Sequence, residues 1–202
     1  MTTRSIYIKD LERLNQELIE MSEEVVQAIE DSFRALSENN KELADEIIKH
    51  DRDINNYERS IESKCMNLML RQQPVAKDLR HISMALKVVT DIERIGDHAA
   101  DIAELILRFN SSEGVKSIAA LPEMADKVKL MLKDAVKAFI EKNHDLARDV
   151  EKQDDVIDNY FDKVKNEIIQ KLKSAEGDPD MSVDILMIAK YLERIGDHAV
   201  NV

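Results

Sequence analysis

Cysteine occurs once, at Cys65, tryptophan not at all, and aromatic residues make up only 4% of the 202-residue chain. A single thiol excludes an intrachain disulfide and a cysteine-based zinc site, and it fits a reducing compartment. Glycine (4) and proline (3) are nearly as scarce, and none falls before Pro74. So little punctuation leaves long helices as the natural reading. Positive charge is also in deficit: 29 Lys+Arg stand against 41 Asp+Glu, a formal net charge of −12. That balance excludes a general nucleic-acid binder, which needs a basic face to release phosphate counterions. No apolar run approaches the roughly 20 residues of a bilayer span, and Met1 to Asp10 holds no apolar secretory stretch. The expectation is an acidic, intracellular, all-α chain.

What is present is periodic. Leu11, Leu14, Leu18, Met21 and Val25 recur at spacings of three and four, and Ile29, Phe33 and Leu36 carry the stripe on. This predicts one amphipathic helix of about 30 residues. Ser37 to Asn40 is a polar break, after which Leu43, Ile47, Ile54, Ile61 and Leu68 mark a second helix. Pro74 stands near the start of a third, with Leu79, Ile82, Leu86 and Val89 as its stripe. Asn110 to Gly114 is the best linker. Pro122 opens a fourth helix, Asn143 breaks it, Leu146 to Val164 mark a fifth, and Ser174 to Asp180 turns the chain into a sixth.

The second half repeats the first. Glu93 to Ala99 reads ERIGDHA, and so does Glu193 to Ala199, an offset of 100 residues. Asn55-Asn56-Tyr57 matches Asp158-Asn159-Tyr160 at an offset of 103, which also pairs Asp51 with Asp154 and Asn40 with Asn143. Seven identical residues in succession lie far beyond chance, so the chain is a tandem repeat of two three-helix bundles, residues 1–110 and 115–202. The first copy runs on past its motif to Phe109, whereas the second stops at Val202, which makes the last helix look short.

On a helical wheel of the third helix Glu93 falls in the middle of the apolar stripe, with Asp97 about 40° round. Glu193 and Asp197 repeat the pattern on the sixth helix. On the second helix Asp51 and Asn55 edge the inward stripe, and Asp154 and Asp158 are their repeats. If the second and third helices of each unit are antiparallel neighbours, Asp51, Asn55, Glu93 and Asp97 converge in one unit. Asp154, Asp158, Glu193 and Asp197 converge in the other. Burying such charges uncompensated costs several kcal/mol, so a cation is expected. Oxygen-only sets suit hard or borderline ions: Mg²⁺, Ca²⁺, Mn²⁺ or iron. The competing reading is that Arg94 and Arg194 curl back to pair with the carboxylates.

The remaining chemistry-bearing residues carry less. His98 and His198 sit away from the inferred clusters and read as surface or bundle-edge residues. His50 falls on the apolar side of its helix and is Gln153 in the repeat. Cys65 shares its wheel angle with Ile47 and reads as a small buried hydrophobe. Gly96 and Gly196, recurring inside helices, point to close helix approach or to backbone room beside the clusters. No nucleotide-binding, hydrolase or zinc-protease motif is present, so no organic cofactor and no enzyme activity is expected. A carboxylate-bridged metalloenzyme and a purely structural helical module are the alternatives. The Glu-x-x-His spacing of di-iron bundles is here Glu-x-x-x-Asp.

The twin ERIGDHA motifs, together with Gln73-Pro74, Asp78-Leu79-Arg80 and the plan of twice three helices, resemble the PhoU family of phosphate-transport accessory proteins. The resemblance covers essentially the whole chain. The second copy departs from it by lacking the Gln-Pro and Asp-Leu-Arg segment. The resemblance implies two symmetric three-helix bundles in a cytoplasmic homodimer that reaches the membrane only through partners. It implies metal clusters, iron in some members, at Glu93/Asp97 and Glu193/Asp197. It further implies negative regulation of the phosphate regulon through two partners, the ATPase of the phosphate ABC transporter and the sensor histidine kinase.

Overall fold

The computed structural model describes residues 3–72, 74, 76–111, 115, 118–175 and 178–202. These form six α-helices, with no strand among them: α1 (Thr3–Glu38), α2 (Lys41–Gln72), α3 (Ala76–Arg108), α4 (Ala120–Glu141), α5 (His144–Lys173) and α6 (Pro179–Asn201). The predicted all-α architecture is the one observed. Gln73, Ser112 to Gly114 of the expected linker, and Glu176 and Gly177 of the last turn lie outside the described residues. Pro122 does not open α4 but occupies its first turn, where its missing N–H has no intrahelical partner to lose.

The two hairpin corners are built alike. Asn39 and Lys142 both take left-handed φ, 52° and 55°. The next amides, of Asn40 and Asn143, then donate back to the carbonyls of Ala35 and Ala138 at 2.9 Å in each case. This closes the preceding helix. The Asn40 and Asn143 side-chain oxygens accept from the amides of Leu43 (3.0 Å) and Leu146 (3.1 Å), capping the helix that follows.

Leu14, Leu18, Met21, Val25 and Ile29 of α1 are fully buried, as their spacing requires. Ile54, Ile61 and Cys65 meet them from α2. Each such aliphatic side chain contributes roughly 1.5–3 kcal/mol. Cys65 is the buried hydrophobe expected, and burial pushes its thiol up to about 11. Within each half the three helices pack on one another, and the halves meet where α3 packs on α6 and α1 on α4. A continuous hydrophobic core runs through both. Helices α3 and α6 run antiparallel: Arg108 reaches Asp184 (3.2 Å) near one end and Asp91 reaches His198 (2.8 Å) near the other.

One sequence expectation is corrected here. The buried stripe of α3 is centred on Ile92, Ile95, Ala99 and Ile102, and Glu93 lies at its edge instead of its middle. Leu79 is exposed and Leu86 only half-buried, so the large aliphatics misplace the stripe. The reason is that α3 packs against α1, α2 and α6 at once. Crowded on three sides, it buries alanine and glycine where a two-sided helix would bury leucine.

Candidate functional site

Helices α2 and α3 are antiparallel, and their facing edges form an acidic furrow. Asp51 accepts from the Asn55 side-chain amide on Oδ2 at 2.8 Å, while its Oδ1 is buried with no hydrogen-bond partner. Burial foremost, and then the charge of Asp97, raise the Asp51 pKa. Glu93, across the furrow, is 13% exposed. Burial, followed by the charges of Asp97 and Glu58, pushes it up to about 7. Asp97 accepts from Arg94 at 3.0 Å, and the same guanidinium stands 3.7 Å from Glu93. The furrow thus brings Asp51, Asn55, Glu93 and Asp97 to one face, with Arg94 curling back as the competing reading anticipated.

The second furrow, between α5 and α6, repeats this with a difference. Asp154 is raised by burial first and then by Asp158, Asp197, Asp155 and Glu193, so all four expected residues share one field. Its cation is not Arg194. Lys190 pairs with Glu193 and lies 5.5 Å from the Phe161 ring. In the first repeat those two positions are Thr90 and Glu58. Asp158 and Asp197 are exposed, and this furrow is the more open of the two. Among the described residues, no three His, Cys, Asp or Glu side chains approach closely enough to hold an ion together as they stand.

The repeated glycines divide the two structural readings between them. A Cβ on Gly96 would meet Ile54 Cγ2 at 3.0 Å, so that glycine lets α2 approach. On Gly196 it would meet Asp154 Oδ1 at 3.3 Å, so there the missing side chain makes room for a furrow carboxylate.

Glu58 is a furrow residue that the wheel analysis passed over. Burial, then Glu62, raises its pKa, and Asp97 acts on it as well. Its signal was available: Glu58 lies one heptad beyond Asp51, on the same face. Two histidine expectations are corrected. His98 is buried, not at the surface: it stacks on Tyr191 (5.5 Å between ring centroids), faces His198 (5.6 Å) and bonds Asp101 at 3.1 Å. Burial, the largest influence, lowers its pKa. The packing of α3 on α6 buries this face of α3, on which His98 neighbours Ile102 and Leu105. His50, expected on an apolar face, instead bridges Glu24 (2.9 Å) and Asp53 (3.0 Å) in a part-exposed site. Its pKa is raised chiefly by the bond to Glu24.

Fold and site together define a tandem-repeat six-helix protein with one carboxylate furrow per repeat. The model of the PhoU domain matches residues 18–106 and 121–202. The chain belongs to the PhoU family. A phosphate-specific transport system accessory protein PhoU homolog of Clostridium acetobutylicum is 39% identical over 99% of this chain and 92% of its own length. Homolog 1 of Methanothermobacter thermautotrophicus is 31% identical over 98% of this chain and 91% of its own. The crystal structure of PhoU from Pseudomonas aeruginosa superposes with a TM-score of 0.86 at 30% identity, covering 96% of this chain and 94% of that one. Among the described residues no helix is long and apolar enough to cross a membrane.

Proposed function

We propose that the protein is a cytoplasmic regulatory adaptor of phosphate uptake, not an enzyme. It acts as a negative regulator of the phosphate regulon, engaging the ATPase of a phosphate ABC transporter and a sensor histidine kinase, and works as a homodimer. Supporting this are its family membership and the names of relatives matched over nearly its whole length, phosphate-specific transport system accessory proteins. The two acidic furrows are proposed to hold hard or borderline cations, iron foremost, with manganese, magnesium and calcium as alternatives. Asp51, Asn55, Glu93 and Asp97 are the donors in one repeat, and Asp154, Asp158, Glu193 and Asp197 in the other. The observation that carries the metal reading is the buried, unpartnered Oδ1 of Asp51 beside a raised Glu93. An orphaned carboxylate oxygen costs about 1–3 kcal/mol, and an oxygen-only donor set fits the proposed ions. A bound cation would supply positive charge that draws the carboxylates together and offers an open coordination position to a partner's side chain.

The test is capture of the transporter ATPase and the kinase by wild type and by Asp97→Ala/Asp197→Ala, with metal content measured in parallel. Lost capture with lost metal supports both parts of the proposal. Unchanged capture removes the furrows from the recognition surface. Purified protein without metal, gaining no stability from added iron or manganese, returns the furrows to Arg94 and Lys190.

A further inference from the structure

The two furrows carry the same motif, yet they differ at one facing pair of positions on their walls. In the first furrow the pair is Glu58 on α2 and Thr90 on α3. Thr90 neighbours the Glu58 carboxylate, which lies in the field of Asp97 and adds its own charge to the field at Glu93. In the second furrow the same positions are Phe161 on α5 and Lys190 on α6. The Lys190 ammonium pairs with Glu193 and stands 5.5 Å from the centre of the Phe161 ring. The two differences act together. A carboxylate is withdrawn from the wall, and a cation is delivered to a carboxylate that remains.

The arginines of the two motifs also diverge. Arg94 serves the first furrow from its rim: its side chain is 56% exposed, and it takes Asp97 at 3.0 Å but Glu93 only at 3.7 Å. Arg194 is exposed, and its charge is felt at His98 and Tyr191. That leaves Lys190 as the cation at Glu193. Glu193 is about as sheltered as Glu93, at 15% against 13% exposure, and partial exclusion of water strengthens its pair with Lys190. The face of Phe161 adds a cation–π attraction. The pair that Arg94 makes at the rim is worth little by comparison. An ammonium is a compact point charge, so Lys190 comes closer than a delocalised guanidinium to what a metal ion supplies.

We infer that Lys190 is a tethered cation that holds the second furrow in place of a metal ion, which makes the two furrows unequal. This rests on the cation-holding role proposed for the furrows. The first furrow offers Glu58 as a further oxygen donor beside Asp51, Glu93 and Asp97, and an entering ion displaces only Arg94 at the rim. In the second, an ion must take Glu193 from Lys190 and draw the ammonium off Phe161. The fraction of chains with Lys190 swung out then sets the apparent affinity of that furrow. The first furrow fills at the lower metal concentration. The second fills later, and its filling releases Lys190 to the surface.

The test is a calorimetric titration of the chelator-treated full chain with Mn²⁺ alone. Two classes of site are expected, about tenfold apart in affinity, a factor equal to about 1.4 kcal/mol. Glu93→Gln should remove the tight class and Glu193→Gln the weak one. The internal repeat supplies the decisive variants, Lys190→Thr and Thr90→Lys, since each new residue already stands at that place in the sister copy. Lys190→Thr should tighten the weak class about tenfold, and Thr90→Lys should weaken the tight class by a similar factor. Without metal, Lys190→Thr should lower the urea midpoint, because the carboxylates of the second furrow lose their counter-charge, and Thr90→Lys should raise it. Equal affinity of the two furrows in the wild type, or a tight class that Glu193→Gln removes, would overturn the inference and leave the metal reading standing. So would a Lys190→Thr chain in which neither the weak class nor the metal-free midpoint moves. No Mn²⁺ at either furrow would overturn the metal reading itself, and this inference with it.

Discussion

Gly96 and Gly196 occupy the same place in identical heptapeptides, yet alanine should act on them with opposite sign. In a helix interior Gly→Ala is worth about 1 kcal/mol of stability when the new methyl has space. At Gly96 it does not. The methyl would lie 3.0 Å from Ile54 Cγ2, 3.1 Å from Ile54 Cδ1 and 3.5 Å from Val25 Cγ2, against an optimum of about 3.5–4.0 Å between carbons. Ile54 and Val25 are buried at 1% and 0% exposure, so neither can swing into solvent. Overpacking of this kind costs about 1–3 kcal/mol, which leaves Gly96→Ala about 1 kcal/mol less stable than wild type. At Gly196 the nearest atoms are Asp154 Oδ1 at 3.3 Å and Ile157 Cγ2 at 3.4 Å. Asp154 is partly exposed and its carboxylate can turn away, so Gly196→Ala should be neutral or stabilised by up to about 1 kcal/mol. Urea unfolding followed at 222 nm resolves the difference of about 1–2 kcal/mol, and melting temperatures should separate by roughly 2–8 °C in a chain of this size. Ile54→Val removes the Cδ1 contact. Combined with Gly96→Ala, it should cost at least about 0.5 kcal/mol less than the two single changes together. Equal stabilisation by both alanines would refute the assignment of Gly96 to close helix packing.

Other outcomes follow from the same geometry. In chelator-treated protein, Glu93 titrates at about 7 when folded and at its ordinary 4.5 when unfolded. A raised carboxyl binds its proton more tightly in the fold, so its contribution is complete below pH 4.5, declines as pH rises to about 7, and is flat above. Glu93→Gln should remove that decline in a pH series of urea midpoints. Arg108→Ala leaves Asp184, 7% exposed, without its partner across the repeats, and should cost about 1–3 kcal/mol in chemical denaturation. Arg108→Ala/Asp184→Ala should recover part of that loss. Lys142→Asn should stabilise by up to about 1 kcal/mol in the same assay, because Asn visits the left-handed region at lower cost than Lys.

Helix existence was legible because scarce glycine and proline left the apolar period uninterrupted over most of the chain. The duplication was legible because ERIGDHA recurs whole. The furrow residues were found from their offsets and from the antiparallel geometry of a hairpin. What the wheel misjudged was depth. A stripe drawn through Leu79 and Leu86 puts Glu93 at its middle, whereas α3 buries Ile92, Ala99 and Ile102. The wheel gave His98 as a surface or bundle-edge residue, and only the packing of α3 on α6 shows that this edge is buried.

By itself, then, the sequence determined the all-α architecture, its repeat, and which carboxylates would share a face, since these are properties of spacing along one chain. Only the tertiary structure decided which cation answers each furrow, Arg94 in one and Lys190 in the other. It alone set the two histidines of the motifs against each other across α3 and α6. Those outcomes depend on which surfaces of the two repeats meet. An internal repeat specifies each unit twice, but the contact between the units joins the shared His98 and His198 to residues in which the copies differ, such as Asp91, Tyr191 and Asp184.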